Sequence, residues 1–279
     1  MRKIFIIGGM AGLLFACSNK VQQENIITVT IEPQRYLAEQ LADSLFRIES
    51  MVPAGTSPET YDPTPAQMAN LARSKAYFCI GYIGFEEVWI DKLKHNYPQI
   101  PFFDNSKGIS LVASEDFHEG GIDPHIWSSP KAVRSIVQNM KEAFVAIDPS
   151  HESRYAANLQ RMLAQVDSVD TAVTQLLHNS SQKAFIIYHP ALTYFALDYG
   201  LTQYSIEADG KEPSPEQLKT LMKAAKEKGI QTVFVQQEFD QKNAELVAKE
   251  TGCRIVVINP LSYDWGKEMI HIARALSDE

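Results

Sequence analysis

Two histidines attract attention because of where they fall along the chain. His125 lies in the segment 123–127 (Asp-Pro-His-Ile-Trp), just before a predicted helix start, and His189 immediately follows the apolar run 185–188. In α/β folds, the loops that follow strands face clefts and carry the binding sites. Neutral imidazole nitrogens bind divalent transition metals. The two residues are therefore candidates for a binding site, although each histidine taken alone favours a structural role and their spacing of 64 residues forms no local motif.

The rest of the sequence shows no competing catalytic motif. It contains no HExxH, CxxC, glycine-rich phosphate loop or G-x-S-x-G elbow, which argues against the enzymes that those motifs mark. Five further histidines lie in helical or polar surroundings and are interpreted as solvated; they are His95, His118, His151, His178 and His271.

Composition is that of a soluble globular protein. The chain has 279 residues, 45% hydrophobic and 22% charged, enough for one or two lobes with real cores. A net charge of -8 argues against nucleic-acid binding, which needs a surplus of basic residues. With only three cysteines, a disulfide framework is excluded by count.

The first residues predict export and lipid anchoring. Arg2 and Lys3 precede an apolar stretch too short to span a bilayer, which is typical of a signal peptide, here 1–16. The segment ends in Leu-Phe-Ala-Cys, which resembles the bacterial lipobox, so Cys17 is expected to become the lipidated N-terminus of a tether, 17–25. The protein would then sit in the cell envelope, outside the cytoplasm. A plain signal peptide cut elsewhere and a fortuitous apolar start are the alternatives.

Hydrophobic periodicity predicts two α/β lobes, 26–147 and 181–279, because strand-like runs alternate with helical patterns in both. Between them, 148–180 shows apolar residues at steps of three and four and runs some thirty residues past Pro149 without Gly or Pro. A helix of that length is roughly 45 Å long and suits a rigid bridge between lobes. One long helix packed within a single domain is the alternative. The predicted strands are 26–31, 48–52, 76–80, 101–104, 184–188, 203–206, 232–235 and 254–258.

Longer segments along the whole mature chain resemble the zinc- and manganese-binding solute-binding proteins of bacterial ABC importers, the ZnuA/TroA-like family. The resemblance implies two α/β lobes bridged by a long helix, with the metal site in the cleft between them. The matching segments are 53–65, 81–89, 123–130, 148–158, 188–191, 199–201 and 207–218.

The same resemblance implies a ligand set. The family usually binds the ion through a His in the first Pro-rich loop, a His in a D-P-H motif, a His or Glu after the first strand of the second lobe, and an Asp in a D-P-L motif. His125 and His189 match the two middle positions, whereas Glu59 and Asn259 replace the first and last. We expect Glu59, His125 and His189 to bind the metal, with Asn259, Glu207 or water completing the shell.

The leading hypothesis is a carrier, without a reaction of its own, that captures a divalent transition metal and delivers it to an ABC permease. Two imidazoles favour zinc, with manganese also possible. The protein is expected to act as a monomer, held to the membrane by its lipid. A zinc-dependent hydrolase, which needs an open coordination position and a general base, is one alternative. A surface adhesin or interaction lipoprotein is the other.

Overall fold

The computed structural model describes residues 24–113, 121–207, 211–239 and 241–277. The predicted signal peptide, Cys17 and His118 lie outside the described residues. Among the helices in these ranges, none is both long and apolar enough to cross a membrane.

The first part of the chain forms a four-stranded parallel sheet in the order β2-β1-β3-β4. Each strand appears within a residue or two of its predicted place. The elements are β1 (Ile26–Val29), α1 (Glu32–Ala42), β2 (Arg47–Ser50), α2 (Pro65–Leu71), β3 (Ala76–Cys79), α3 (Gly84–Asn96), β4 (Phe102–Asp104) and α4 (Pro130–Ile147).

The second part repeats this topology, with a parallel sheet in the order β6-β5-β7-β8. The predicted likeness between the halves is therefore confirmed at the level of architecture. The elements are β5 (Ala184–Ile187), α6 (Thr193–Asp198), β6 (Thr202–Ser205), α7 (Pro215–Lys228), β7 (Thr232–Gln236), α8 (Lys242–Thr251), β8 (Arg254–Ile258) and α9 (Trp265–Leu276).

The long helix α5 (Glu152–His178) joins the two halves. Its 27 residues span about 40 Å at 1.5 Å per residue. It packs against α1 and α4 of the first half and α9 of the second, and its buried residues belong to a core that continues into both halves. The predicted bridging helix is thus present, although a short 3₁₀ turn at Pro149–His151 precedes it.

Helix starts follow from local capping. Thr64 and Ser214 each accept a hydrogen bond from the backbone N–H three residues on, and Gln67 and Gln217 complete the capping boxes. Ser129 caps α4 in a similar way by accepting from the N–H of Ala132. This cap fixes the chain just beyond His125.

Two buried tryptophans connect the halves directly. The Nε1 of Trp127 donates to the carbonyl of Pro260 at 3.0 Å, and the Nε1 of Trp265 donates to the carbonyl of Trp127 at 2.7 Å. Each side chain is only 1% exposed. The indoles thus fill the junction between the two halves and satisfy their polar atoms within it.

Candidate metal centre

Three of the predicted ligands meet in space. Glu59, His125 and His189 each offer an atom, and these atoms lie within 4.8 Å of one another. The Nε2 atoms of the two histidines are 3.3 Å apart. Two nitrogens bound to one tetrahedral zinc at 2.0–2.1 Å would be separated by about 3.3–3.4 Å. The imidazole spacing therefore fits a shared tetrahedral ion.

His125 is held by the residues beside it in sequence. Its backbone N–H and its ring Nδ1 both donate to Oδ1 of the buried Asp123, at 2.8 and 2.9 Å. Burial raises the pKa of Asp123, but the charge and hydrogen bonds of His125 outweigh burial and the net shift is downward. With the proton assigned to Nδ1, the lone pair of Nε2 faces the cavity.

His189 is fixed by residues from two neighbouring strand ends. Its Nδ1 lies 3.3 Å from Oε1 of the buried Glu207. Its backbone donates to Oε1 of Gln236 at 3.3 Å and accepts from Nε2 of the same side chain at 2.6 Å. The ring stacks on Phe239, with centroids 5.3 Å apart.

The charges around His189 change its acidity. Burial lowers the pKa of His189, but the carboxylate of Glu207, helped by Glu59 and Asp123, raises it above the ordinary value overall. At a pH where His189 is protonated, a metal ion that binds its imidazole must displace the proton.

Glu59 comes from the Pro-rich loop and meets the first turn of α3. Its Oε2 accepts from the N–H of Gly84 at 3.1 Å. A Cβ on Gly84 would lie 2.6 Å from the Glu59 carbonyl oxygen, so a side chain at this position would disturb the contact. The other oxygen, Oε1, is buried without a hydrogen-bond partner among the described residues. An unpaired buried carboxylate oxygen beside two imidazoles is a suitable ligand for a cation.

Glu207 and Asn259, the residues expected to complete the shell, lie in different places. Glu207 contacts the Nδ1 of His189, and so orients the ring from the side opposite Nε2. Asn259 accepts the N–H of Leu261 at 3.1 Å through its Oδ1, and it does not line the cavity. Glu207 does not belong to the group of three converging side chains.

The cavity has a volume of about 20 Å³, room for about one water-sized body. The sequence reasoning missed several of the residues around it, notably Gln236 and Glu238, which end or follow β7 much as His189 follows β5. His189 was selected because it directly follows a buried strand, and the same reasoning applied to β7 would have identified Gln236 and Glu238. The lining residues are Ser57, Pro58, Glu59, His125, Trp127, His189, Ala191, Gln236, Glu238, Phe239, Pro260 and Leu261.

Known proteins resemble this chain over its length. The high-affinity zinc uptake system protein ZnuA of Bacillus subtilis is 26% identical over 282 residues, covering 92% of this chain and 88% of that protein. The zinc-binding lipoprotein AdcA of Streptococcus pneumoniae is 27% identical over 94% of this chain, which spans about half of AdcA, 56%. A crystal structure of a ZnuA superposes with a TM-score of 0.86 at 36% identity and covers 91% of this chain and 99% of that one.

A family model provides the assignment. The model for the periplasmic component A of the zinc-uptake complex matches residues 27–278, nearly the whole described chain. This range includes both sheets, the bridging helix and the three converging side chains. The chain therefore belongs to the family of zinc-uptake complex component A, periplasmic.

Proposed function

We propose that this protein captures Zn²⁺ outside the cytoplasmic membrane and delivers it to the permease of an ABC importer. The observation that carries the proposal is the 3.3 Å separation of the Nε2 atoms of His125 and His189, beside a carboxylate oxygen of Glu59 that has no other described partner. The cavity lies between the lobes proposed for 26–147 and 181–279. The names of the family and of its zinc-binding relatives support the same cargo.

The donor chemistry favours zinc over manganese. Two imidazole nitrogens suit a borderline-soft ion, whereas carboxylate oxygen serves harder ions equally well. The small cavity, with room for about one water-sized body, suits capture of a bare ion better than hydrolysis of a substrate. The protein is therefore proposed to be a carrier rather than an enzyme.

Zinc binding can be tested with three single substitutions and a chromophoric chelator as competitor. His125→Ala and His189→Ala should each weaken zinc binding by at least tenfold, because one imidazole is lost from the shell. His95→Ala is the control, since His95 is exposed on α3. Equal affinities in all three variants and the parent would refute the proposed site.

We also propose that Cys17 carries the lipid anchor, by analogy with the lipoprotein AdcA. Stable membrane attachment needs more than one short acyl chain, and a lipidated N-terminal cysteine would supply it. Cys17→Ser should release the protein from the membrane fraction of its host. If the variant stays in the membrane pellet after a high-salt wash, Cys17 is not the anchor.

A further inference from the structure

Glu238 lies on the loop that leaves the carboxyl end of β7, and it is one of the residues that line the cavity with the three converging side chains. In the second sheet, β5 and β7 are the neighbours from which the chain winds in opposite directions. Open α/β sheets bind ligands outside the carboxyl ends of the strands at that point. His189 follows β5 and Glu238 follows β7, so the two residues lie on either side of the point where the winding direction changes.

The loop that carries Glu238 is attached to His189 on both sides. Before Glu238, the side chain of Gln236 bonds to both the N–H and the carbonyl of His189. After it, the ring of Phe239 stacks on the imidazole with an interplanar angle of 19°. These contacts keep the backbone of Glu238 at a fixed place relative to one metal-binding nitrogen.

Glu59 is the only carboxylate among the three converging side chains. A divalent ion bound by these three side chains therefore keeps one net positive charge among its direct ligands, because the carboxylates of Asp123 and Glu207 lie farther out, against the Nδ1 atoms of the imidazoles. A second carboxylate in direct contact with the ion would neutralise that charge. Burial raises the pKa of Glu238, while the nearby His189 and His125 act to lower it, so this carboxyl group lies within electrostatic reach of both imidazoles.

Asn259 is poorly suited to complete the shell. Its amide oxygen is neutral and already accepts the N–H of Leu261, and its backbone N–H donates to Glu268 at 2.8 Å. A neutral amide oxygen is a weak zinc ligand beside a carboxylate.

We propose that Glu238 supplies the fourth protein ligand of the bound ion, in the place that Asn259 does not fill. This inference rests on the proposed zinc-binding function. Glu238 is not among the side chains that converge within 4.8 Å, so coordination requires its side chain to rotate toward the imidazoles. Staggered rotamers about its side-chain bonds give it that freedom. Each half of the molecule then contributes one imidazole and one carboxylate.

The test compares Glu238→Gln with the parent and with Glu250→Gln, which makes the same charge change at an exposed position on α8 in the same half. Zinc affinity is measured by chelator competition. Loss of a direct ligand should weaken zinc binding by the Glu238→Gln variant by at least about tenfold, because even the loss of a residue that only supports a ligand costs about that much. The Glu250→Gln variant should bind like the parent.

Cobalt absorption separates coordination from a charge effect. Co²⁺ replaces zinc, and its visible bands report the number and type of ligands. We expect the bands to change in the Glu238→Gln variant and to stay unchanged in the Glu250→Gln variant. Weaker binding with unchanged cobalt bands would show that Glu238 acts only through its charge, and parental affinity would show that it does not act at all. Either result overturns the inference.

One further measurement distinguishes failure of this inference from failure of the proposed function. If the parent binds zinc stoichiometrically and His125→Ala abolishes binding while Glu238→Gln leaves it unchanged, only the role of Glu238 is wrong. If the parent itself binds no zinc, the proposed function is wrong.

Discussion

Replacing Glu207 by Gln should weaken zinc binding without removing a direct ligand. Oε1 of Glu207 lies 3.3 Å from the Nδ1 of His189, and both side chains are at least nine-tenths buried. The carboxylate fixes the imidazole and makes its Nε2 more basic, and such partners are worth 10–100-fold in metal affinity. Gln keeps an oxygen of the same shape but loses the charge. We expect the variant to lose roughly 1.4–2.8 kcal/mol of zinc binding free energy at pH 8.

The effect should depend on pH, with a sign that follows from the proton on His189. Glu207 holds the pKa of His189 above its ordinary value despite burial, so zinc competes with a proton in the parent as pH falls. Glu207→Gln lowers that pKa, and proton competition then begins at a lower pH. The affinity gap between parent and variant should therefore be largest at pH 8 and smaller at pH 5.5.

Chelator competition at the two pH values measures this gap, because the chelator's own pH dependence cancels in the ratio. Glu212→Gln is the control, because it makes the same charge change at an exposed residue five positions after Glu207. A ratio that does not change between pH 8 and pH 5.5, or parental affinity at pH 8, would refute the role given to Glu207.

Three further perturbations test the surroundings of the site. Gly84→Ala should reduce zinc affinity about as much as Glu59→Ala in chelator competition, since the new Cβ would press on the Glu59 backbone and carboxylate. Burial raises the pKa of Glu86 to about 7 despite hydrogen bonds from Thr30 and two backbone N–H groups, so its carboxyl keeps in the folded state a proton that the unfolded chain loses near pH 4.5. The free energy of unfolding should therefore fall as pH rises across that interval and level off above it, and urea titrations of Glu86→Gln should show a shallower fall. Trp265→Phe should lower the free energy of unfolding by about 1–3 kcal/mol in the same assay, because the buried carbonyl of Trp127 loses its donor.

The local pattern of apolar residues predicted the strands, and it predicted where His125 and His189 lie relative to the neighbouring elements. A buried strand is a short apolar run, so β5 and the place of His189 just after it could be read from the sequence. Helix α6 begins at Thr193 and not directly after His189, because the N–H of Ala191 bonds to the carbonyl of His189 in a turn.

Contacts between distant segments could not be read in the same way. Gly84 approaches Glu59 across 25 positions, and Glu207 reaches His189 across 18. Nothing in the spacing of these residues indicates the approach, since it depends on how the loops after parallel strands come together. The resemblance to a family located Glu59, whereas Glu238 occupies no position that the resemblance implied.

The buried indoles of Trp127 and Trp265 bear on how a permease would recognise the metal-bound form of this protein. Exposing both rings would return roughly 150–250 Å² each to water, about 4–6 kcal/mol apiece at 25 cal/mol per Å². A state with the halves parted would then hold fewer than about one molecule in 10⁵. We therefore expect the loaded and empty proteins to share one outline. Discrimination between them would depend on the loops at the cavity mouth, whose side chains alone report whether an ion is present.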